Sequence, residues 1–160
     1  MLIGVVSDTH GHVENTLRGV RMLETFEIAE VLHCGDIGSA SIVKLFEKWP
    51  THFVLGNVDS NANELKTAIA DSGQRFHGRF GNLHIHNRKI ALVHSDDEKR
   101  FRQTLDSGEW ELVCYGHTHQ SKQHLHGRTL VLNPGALYRA RQHSVAIVNL
   151  ATMCAEIVTV

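Results

Sequence analysis

Apolar residues gather in short runs along the chain: Leu2 to Val6, Glu30 to Cys34, His52 to Leu55, Ile90 to Val93 and Glu111 to Tyr115. Each run is rich in Val, Ile and Leu and too short to make a helix, so each is expected to be a buried strand. Between the early runs the spacing changes. Val13, Leu17 and Val20 recur at i, i+4, i+7, and Ile42, Leu45, Phe46 and Trp49 at i, i+3, i+4, i+7, the repeat of helices with one apolar face. A third helix is expected from Asn61, with Glu64 in a capping arrangement and Leu65, Ala68 and Ile69 facing inward. A fourth is expected at Ser95, because Ser95-Asp96-Asp97-Glu98 has the form of a capping box with acids in its first turn.

Beyond residue 120 the pattern alternates with period two around Leu130 to Leu132, Val145 to Leu150 and Ile157 to Val160, with turn residues at Gly127 and at Asn149 to Thr152. This part is expected to be mostly sheet. Leu83 to His86 also alternates, and Asn87-Arg88 before Lys89 to Val93 suggests a hairpin. No linker, repeat or low-complexity tract interrupts the chain, so one domain over residues 1–160 is expected.

Composition narrows the class. A 160-residue chain with 42% hydrophobic and 21% charged residues is that of an ordinary folded domain with a substantial core. Sixteen Lys and Arg against seventeen Asp and Glu leave no strong overall field, so any polyanion must be recognised locally. The short basic groups, Arg88 with Lys89, Lys99 with Arg100 and Arg102, and Arg139 with Arg141, read as solvated surface. Cys34, Cys114 and Cys154 are an odd number, widely spaced, within or beside apolar runs, which suits a reducing compartment. Met1 to Val6 runs straight into a strand, and no apolar run approaches the roughly 20 residues that span a bilayer. A cytoplasmic protein without a membrane partner is expected.

Thirteen His stand out in a chain with only two Tyr and two Trp. Their positions carry the functional signal. Leu2 to Val6 runs into Ser7-Asp8-Thr9-His10, Glu30 to Cys34 into Gly35-Asp36, and His52 to Leu55 into Gly56-Asn57-Val58-Asp59. Ile90 to Val93 runs into His94, and Glu111 to Tyr115 into Gly116-His117-Thr118-His119. In open α/β sheets, residues at the carboxyl ends of parallel strands converge on one ligand site. The pairs Asp8 with His10 and His117 with His119 are spaced i, i+2, which in extended segments puts both side chains on one side. Each motif alone fits an ordinary turn. Together, the principal positions of all these ends are metal-competent groups, with Gly35, Gly56 and Gly116 allowing sharp turns in a crowded site. Four His, two Asp and one Asn, without a thiolate, suit Mn, Fe, Zn, Co or Ni and do not name one of them. Seven ligands exceed one ion's needs and suit two sharing Asp36.

Asp8-Thr9-His10-Gly11, Gly35-Asp36, Gly56-Asn57-Val58-Asp59, His94 and Gly116-His117-Thr118-His119 together resemble the signature of the calcineurin-like metallophosphoesterases over roughly residues 2 to 136. The compact length and Asn133-Pro134-Gly135 resemble its small prokaryotic branch, which includes relatives of the eukaryotic retromer subunit. The resemblance implies an α+β chain of α/β type, the metallo-dependent phosphatase fold: a four-layer αββα sandwich of two mixed sheets flanked by helices. It implies that Asp8, His10 and His119 hold one divalent ion, that Asn57, His94 and His117 hold the other, and that Asp36 bridges them. It further implies a hydrolase in which a metal-bridging hydroxide attacks a small phosphodiester in line, with Asp36, Asn57 and His94 central to catalysis.

Three positions depart from the pattern. Val58 stands where many relatives carry a proton-donating His, which leaves His12 and Asp59 as candidates for the acid or for support of the Asn57 loop. Ser95 replaces a usual Gly and is expected to cap the fourth helix; Ala136 replaces a Ser that contacts phosphate. Of the other histidines, His84 and His86 are expected on a polar strand face, His124, His126 and His143 in turns, and His33 with Cys34 in strand packing. The alternative function is a non-catalytic metal-binding interaction scaffold resembling the retromer subunit, disfavoured because all seven ligand positions are filled. A nuclease for long DNA or RNA calls for an extended basic groove, against which near-neutrality counts. Oligomeric state and substrate-binding residues are not legible at this level.

Overall fold

Residues 1–160 are described by a computed structural model. In chain order its elements are β1 (Leu2–Val6), α1 (Val13–Leu23), β2 (Ile28–His33), α2 (Ala40–Lys44), β3 (Thr51–Phe53), α3 (Ala62–Asp71), β4 (Arg75–Phe76), β5 (Phe80–Ile85), β6 (Arg88–Val93), α4 (Glu98–Asp106), β7 (Leu112–Cys114), β8 (Lys122–His126), β9 (Thr129–Asn133), β10 (Ser144–Asn149) and β11 (Cys154–Thr159). Each apolar run overlaps a strand. Helices α1, α2 and α3 are the crossovers that let β1 to β4 run parallel, since parallel neighbours cannot be joined by a tight turn.

The strands form two mixed sheets. One has the order β11-β10-β1-β2-β3-β4, with β10 antiparallel to both β1 and β11; the other has the order β5-β6-β7-β9-β8, with β6, β7 and β9 parallel. Alternation of side chains across each strand separates three apolar layers. Ile3, Val5, Leu32, Leu92, Cys114, Leu132 and Val148 meet between the sheets. Val20, Leu23, Ile42, Phe46, Leu65 and Ile69 pack α1 to α3 on the outer face of the first sheet. On the outer face of the second, Val93, Val113, Tyr115 and Val131 receive Phe101 and Leu105 of α4. The result is the expected αββα sandwich, with three helices on one side and one on the other.

Four local expectations change. The buried face of α1 is Thr16, Gly19, Val20 and Leu23, while Val13 is exposed, because Gly19 lacks the side chain that would strike Leu137. Helix α4 starts at Glu98 and is capped by Asp97, whose carboxylate accepts from the Arg100 N–H at 3.0 Å. Ser95 does not cap it: its hydroxyl donates to the Gly116 carbonyl at 3.0 Å. His124 and His126 lie in β8, an edge strand whose polar residues hid it from the hydrophobic pattern. The β5–β6 hairpin turns on His86 and Asn87, both at positive φ, rather than on Asn87-Arg88.

Candidate metal centre

Strands β1, β2 and β3 of one sheet and β6 and β7 of the other end at the same edge of the sandwich, and the residues following them converge there. The convergence is not made by extended chain. Asp8, His10, Asp36, His117 and His119 all have positive φ, between 46° and 75°, a conformation that is rare outside glycine. The i, i+2 pairs therefore face a common centre through left-handed turns, which corrects the extended-segment reasoning. Such backbone strain persists where surrounding structure fixes it, and it concentrates at functional sites. Two glycines make the crowding possible. A side chain at Gly56 would collide with the Asp36 carboxylate, and one at Gly116 with the Ser7 hydroxyl and Asp8.

The seven side chains form two adjoining groups. In the first, His119 Nε2 is 3.2 Å from Asp8 Oδ1 and 3.2 Å from His10 Nε2. In the second, Asn57 Oδ1 is 3.1 Å from His94 Nε2 and 3.0 Å from His117 Nδ1. Asp36 lies between them, its Oδ2 3.4 Å from His10 Nε2 and 3.2 Å from His94 Nε2. The other oxygen, Oδ1, accepts from the Val58 N–H at 3.0 Å, which fixes the carboxylate's rotation.

The hydrogen bonds behind this layer set the tautomers. His94 Nδ1 lies 2.8 Å from the Cys34 carbonyl, which can only accept, so Nδ1 carries the proton and Nε2 offers a lone pair inward. The same argument applies to His119, whose Nδ1 is 3.3 Å from the Arg139 carbonyl. Asp8 Oδ2 accepts from the Ser7 hydroxyl at 2.5 Å and the His117 N–H at 3.1 Å, while Asp8 Oδ1 is buried with no partner. Lone pairs thus confront lone pairs in a site that is buried at Asp8, Asp36 and His94 and open to solvent at Asn57 and His117. That arrangement calls for a cation, and one atom each from Asp8, His10, Asp36 and His119 lie within 4.8 Å of one another. Protonation equilibria show the same preference for positive charge. Burial pushes His94 down, but the hydrogen bond and charge of Asp36, with Asp8 and the Cys34 carbonyl, outweigh it and raise its pKa. Burial raises Asp36, yet the His94 hydrogen bond and charge, with the Val58 N–H and His10, hold its carboxyl below the usual range.

The Asp59 carboxylate accepts from the amides of Ile37 at 3.1 Å, Gly38 at 2.8 Å and Gly56 at 2.8 Å, tying the Asp36 and Asn57 loops together. His12 is the N-cap of α1, its Nδ1 accepting from the Asn15 N–H at 3.3 Å, and its ring stacks on Tyr138. Val58 is exposed beside Asn57, whereas Ala136 is fully buried and presents nothing to a ligand. His33 packs on Phe53, and burial lowers its pKa to about 3. Its Nε2 lies 3.1 Å from the Thr9 hydroxyl, which donates to Ile37 O at 3.0 Å. Tyr138 and Arg139 were not legible as neighbours of the centre, since the positive φ that turns the Arg139 carbonyl toward His119 leaves no mark in the sequence.

A sandwich of two mixed sheets with clustered carboxylates and imidazoles at one edge defines a metal-dependent hydrolase. Residues 1–155 match the calcineurin-like phosphoesterase superfamily domain, and the chain belongs to that family. It is accordingly a phosphoesterase of a fold that works with divalent metals. Among relatives, it is 30% identical to phosphodiesterase MJ0936 of Methanocaldococcus jannaschii over 84% of this chain and 83% of that protein. The solved structure of a novel archaeal phosphodiesterase superposes with a TM-score of 0.92 at 26% identity, covering 100% of both chains. Vacuolar protein sorting 29 of Cryptosporidium parvum shares the fold, with a TM-score of 0.65 at 17% identity over 99% of this chain and 96% of that one.

Proposed function

We propose that the chain hydrolyses small phosphodiesters with two divalent ions, manganese foremost and Ni, Co, Zn or Fe compatible, in a cytoplasmic setting. Asp8, His10 and His119 would hold one ion, Asn57, His94 and His117 the other, with Asp36 shared. The observation that carries this reading is Asp36 Oδ2, at 3.4 Å and 3.2 Å from an imidazole nitrogen of each group. When bound, the ions acidify water and offset the charge of the ester. Support for a diester comes from the relative named a phosphodiesterase.

The chain's own residues prepare that chemistry. The Val58 amide holds Asp36, the Cys34 carbonyl orients His94, and the Arg139 carbonyl orients His119, so the reacting centre needs little rearrangement. Val58 carries no proton donor, which favours esters whose leaving oxygen departs without much help. His12 offers one remaining donor: with Nδ1 accepting the Asn15 amide, the proton of its neutral ring sits on Nε2. The retromer-type scaffold draws support only from likeness of fold.

Hydrolysis of a bis-aryl phosphodiester, set against the matching monoester, in Mn, Ni, Co or Zn tests the reading. Turnover of the diester is expected to fall at least about a hundredfold in Asp36→Asn and His94→Ala. Silence in every metal would favour the scaffold, and turnover indifferent to Asp36→Asn would sink the site assignment. Elemental analysis should find two ions per chain; saturation at one overturns the pair. If His12→Ala keeps both rate and pH profile, His12 is not the donor.

A further inference from the structure

A cleft of about 400 Å³ opens directly beside His119, its walls including Thr118, Ser121, Arg139, Arg141 and Gln142. That volume lies within the roughly 300 to 1,000 Å³ of small-molecule sites. No Asp or Glu lines it. Arg139 and Arg141 make no ion pair, in which they resemble Arg21, Arg100, Arg102 and Arg128 and differ from Arg18, Arg75, Arg79 and Arg88; what sets them apart is their place beside His119. Two guanidinium charges thus stand uncompensated at the edge of the metal centre. The chain as a whole is nearly neutral, so this local charge is not part of a general positive field.

The cleft is mechanically joined to the centre. Positive φ at Arg139 directs its carbonyl to His119 Nδ1, and its guanidinium lies over the Tyr138 ring at 5.2 Å. The Tyr138 ring is in turn 5.4 Å from the rings of both His10 and His12. An ester held at the centre therefore has beside it a polar cleft that His119 itself lines, with two arginines in its wall, the side chain best suited to bidentate phosphate contact.

We propose that this cleft is an anion subsite, and that the favoured substrates are small phosphodiesters carrying a terminal phosphate, which the cleft takes while the diester lies at the metal centre. This rests on the phosphodiesterase reading and adds a substrate class to it. Arg141 is the principal phosphate ligand, because the Arg139 guanidinium is already engaged over the Tyr138 ring.

The test compares thymidylyl-thymidine with the same dinucleotide bearing a 5′-phosphate, which differ only in the group assigned to the cleft. In the wild-type protein kcat/KM should favour the phosphorylated form by about tenfold or more, through KM rather than kcat. Arg141→Ala should bring the ratio toward one, and Arg141→Lys should restore part of it. A wild-type ratio near one, or a ratio untouched by Arg141→Ala, overturns the subsite while the phosphodiesterase reading stands. Preference for a long oligonucleotide over the phosphorylated dinucleotide overturns it in favour of an extended groove. Titration calorimetry on metal-stripped protein reads the subsite without turnover: the terminal phosphate should tighten binding severalfold, and Arg141→Ala should abolish that gain. Equal binding of the two dinucleotides overturns the subsite whatever the kinetics; absence of turnover alone, with unequal binding, counts against the phosphodiesterase reading instead.

Discussion

Asp8 and Asp59 are both buried aspartates, but their charges are met differently. Asp59 is surrounded by three backbone N–H donors, whereas one oxygen of Asp8 faces only imidazoles and has no donor. Asp59→Ala orphans those amides and is expected to lower unfolding free energy by about 2 to 4 kcal/mol with or without metal. Asp8→Asn keeps an acceptor for Ser7 and the His117 amide and gives the donorless oxygen's place to an amide, so denaturation of metal-free protein should shift toward higher stability and that of metal-loaded protein toward lower. Equal shifts in both states would show that Asp8 Oδ1 does not face a cation. His33 has a different signature. Its folded pKa of about 3 lies below the unfolded value near 6.5, so between them the unfolded chain binds the extra proton. Stability should therefore fall as pH drops from about 6.5 toward 3, and His33→Gln should remove about one proton's worth of that slope in denaturation curves recorded against pH.

At the level of elements, α4 shows where reading stops. Ser95-Asp96-Asp97-Glu98 contains two possible caps, and tertiary structure selects the second: positive φ at Ser95 turns its hydroxyl to Gly116, leaving Asp97 to receive the Arg100 amide. Asp97→Ala should cost about 1 kcal/mol and lower helicity by circular dichroism, while Ser95→Ala should spare the helix. If the two variants behaved oppositely, the cap assignment would be wrong. The central strands were legible because burial on both faces makes a parallel strand continuously apolar, as in Leu2–Val6 and Ile90–Val93. Strand β8 was not, since Lys122, Gln123 and His126 are exposed polar residues on an edge strand that pairs with β9. The residues now gathered at the centre were likewise legible by type and by place after strands. Their left-handed backbone was not, because Asp and His seldom adopt it without tertiary constraint. The arginines of the cleft read as plain surface, since only the fold brings residues 118–121 beside 139–142.

Across the whole molecule, each group of candidate ligands draws on both sheets. Asp8 and His10 follow β1 and meet His119 beyond β7; Asn57 follows β3 and meets His94 beyond β6 and His117 beyond β7. Neither sheet can assemble a complete group by itself. Any divalent ion bound there ties the sandwich together at one end, and because it binds the folded state, saturating metal should raise the melting temperature in proportion to the logarithm of its concentration. The arrangement also has a kinetic consequence. The two faces must already be docked before the ligands meet, so the ion gains its contacts late in folding. Stripping the metal should therefore quicken unfolding in stopped-flow denaturant jumps while leaving the refolding rate nearly unchanged. Equal effects on both arms would mean that the seam closes early. With metal slowing only the unfolding arm, the centre acts also as a clasp, setting how long each molecule stays shut between openings.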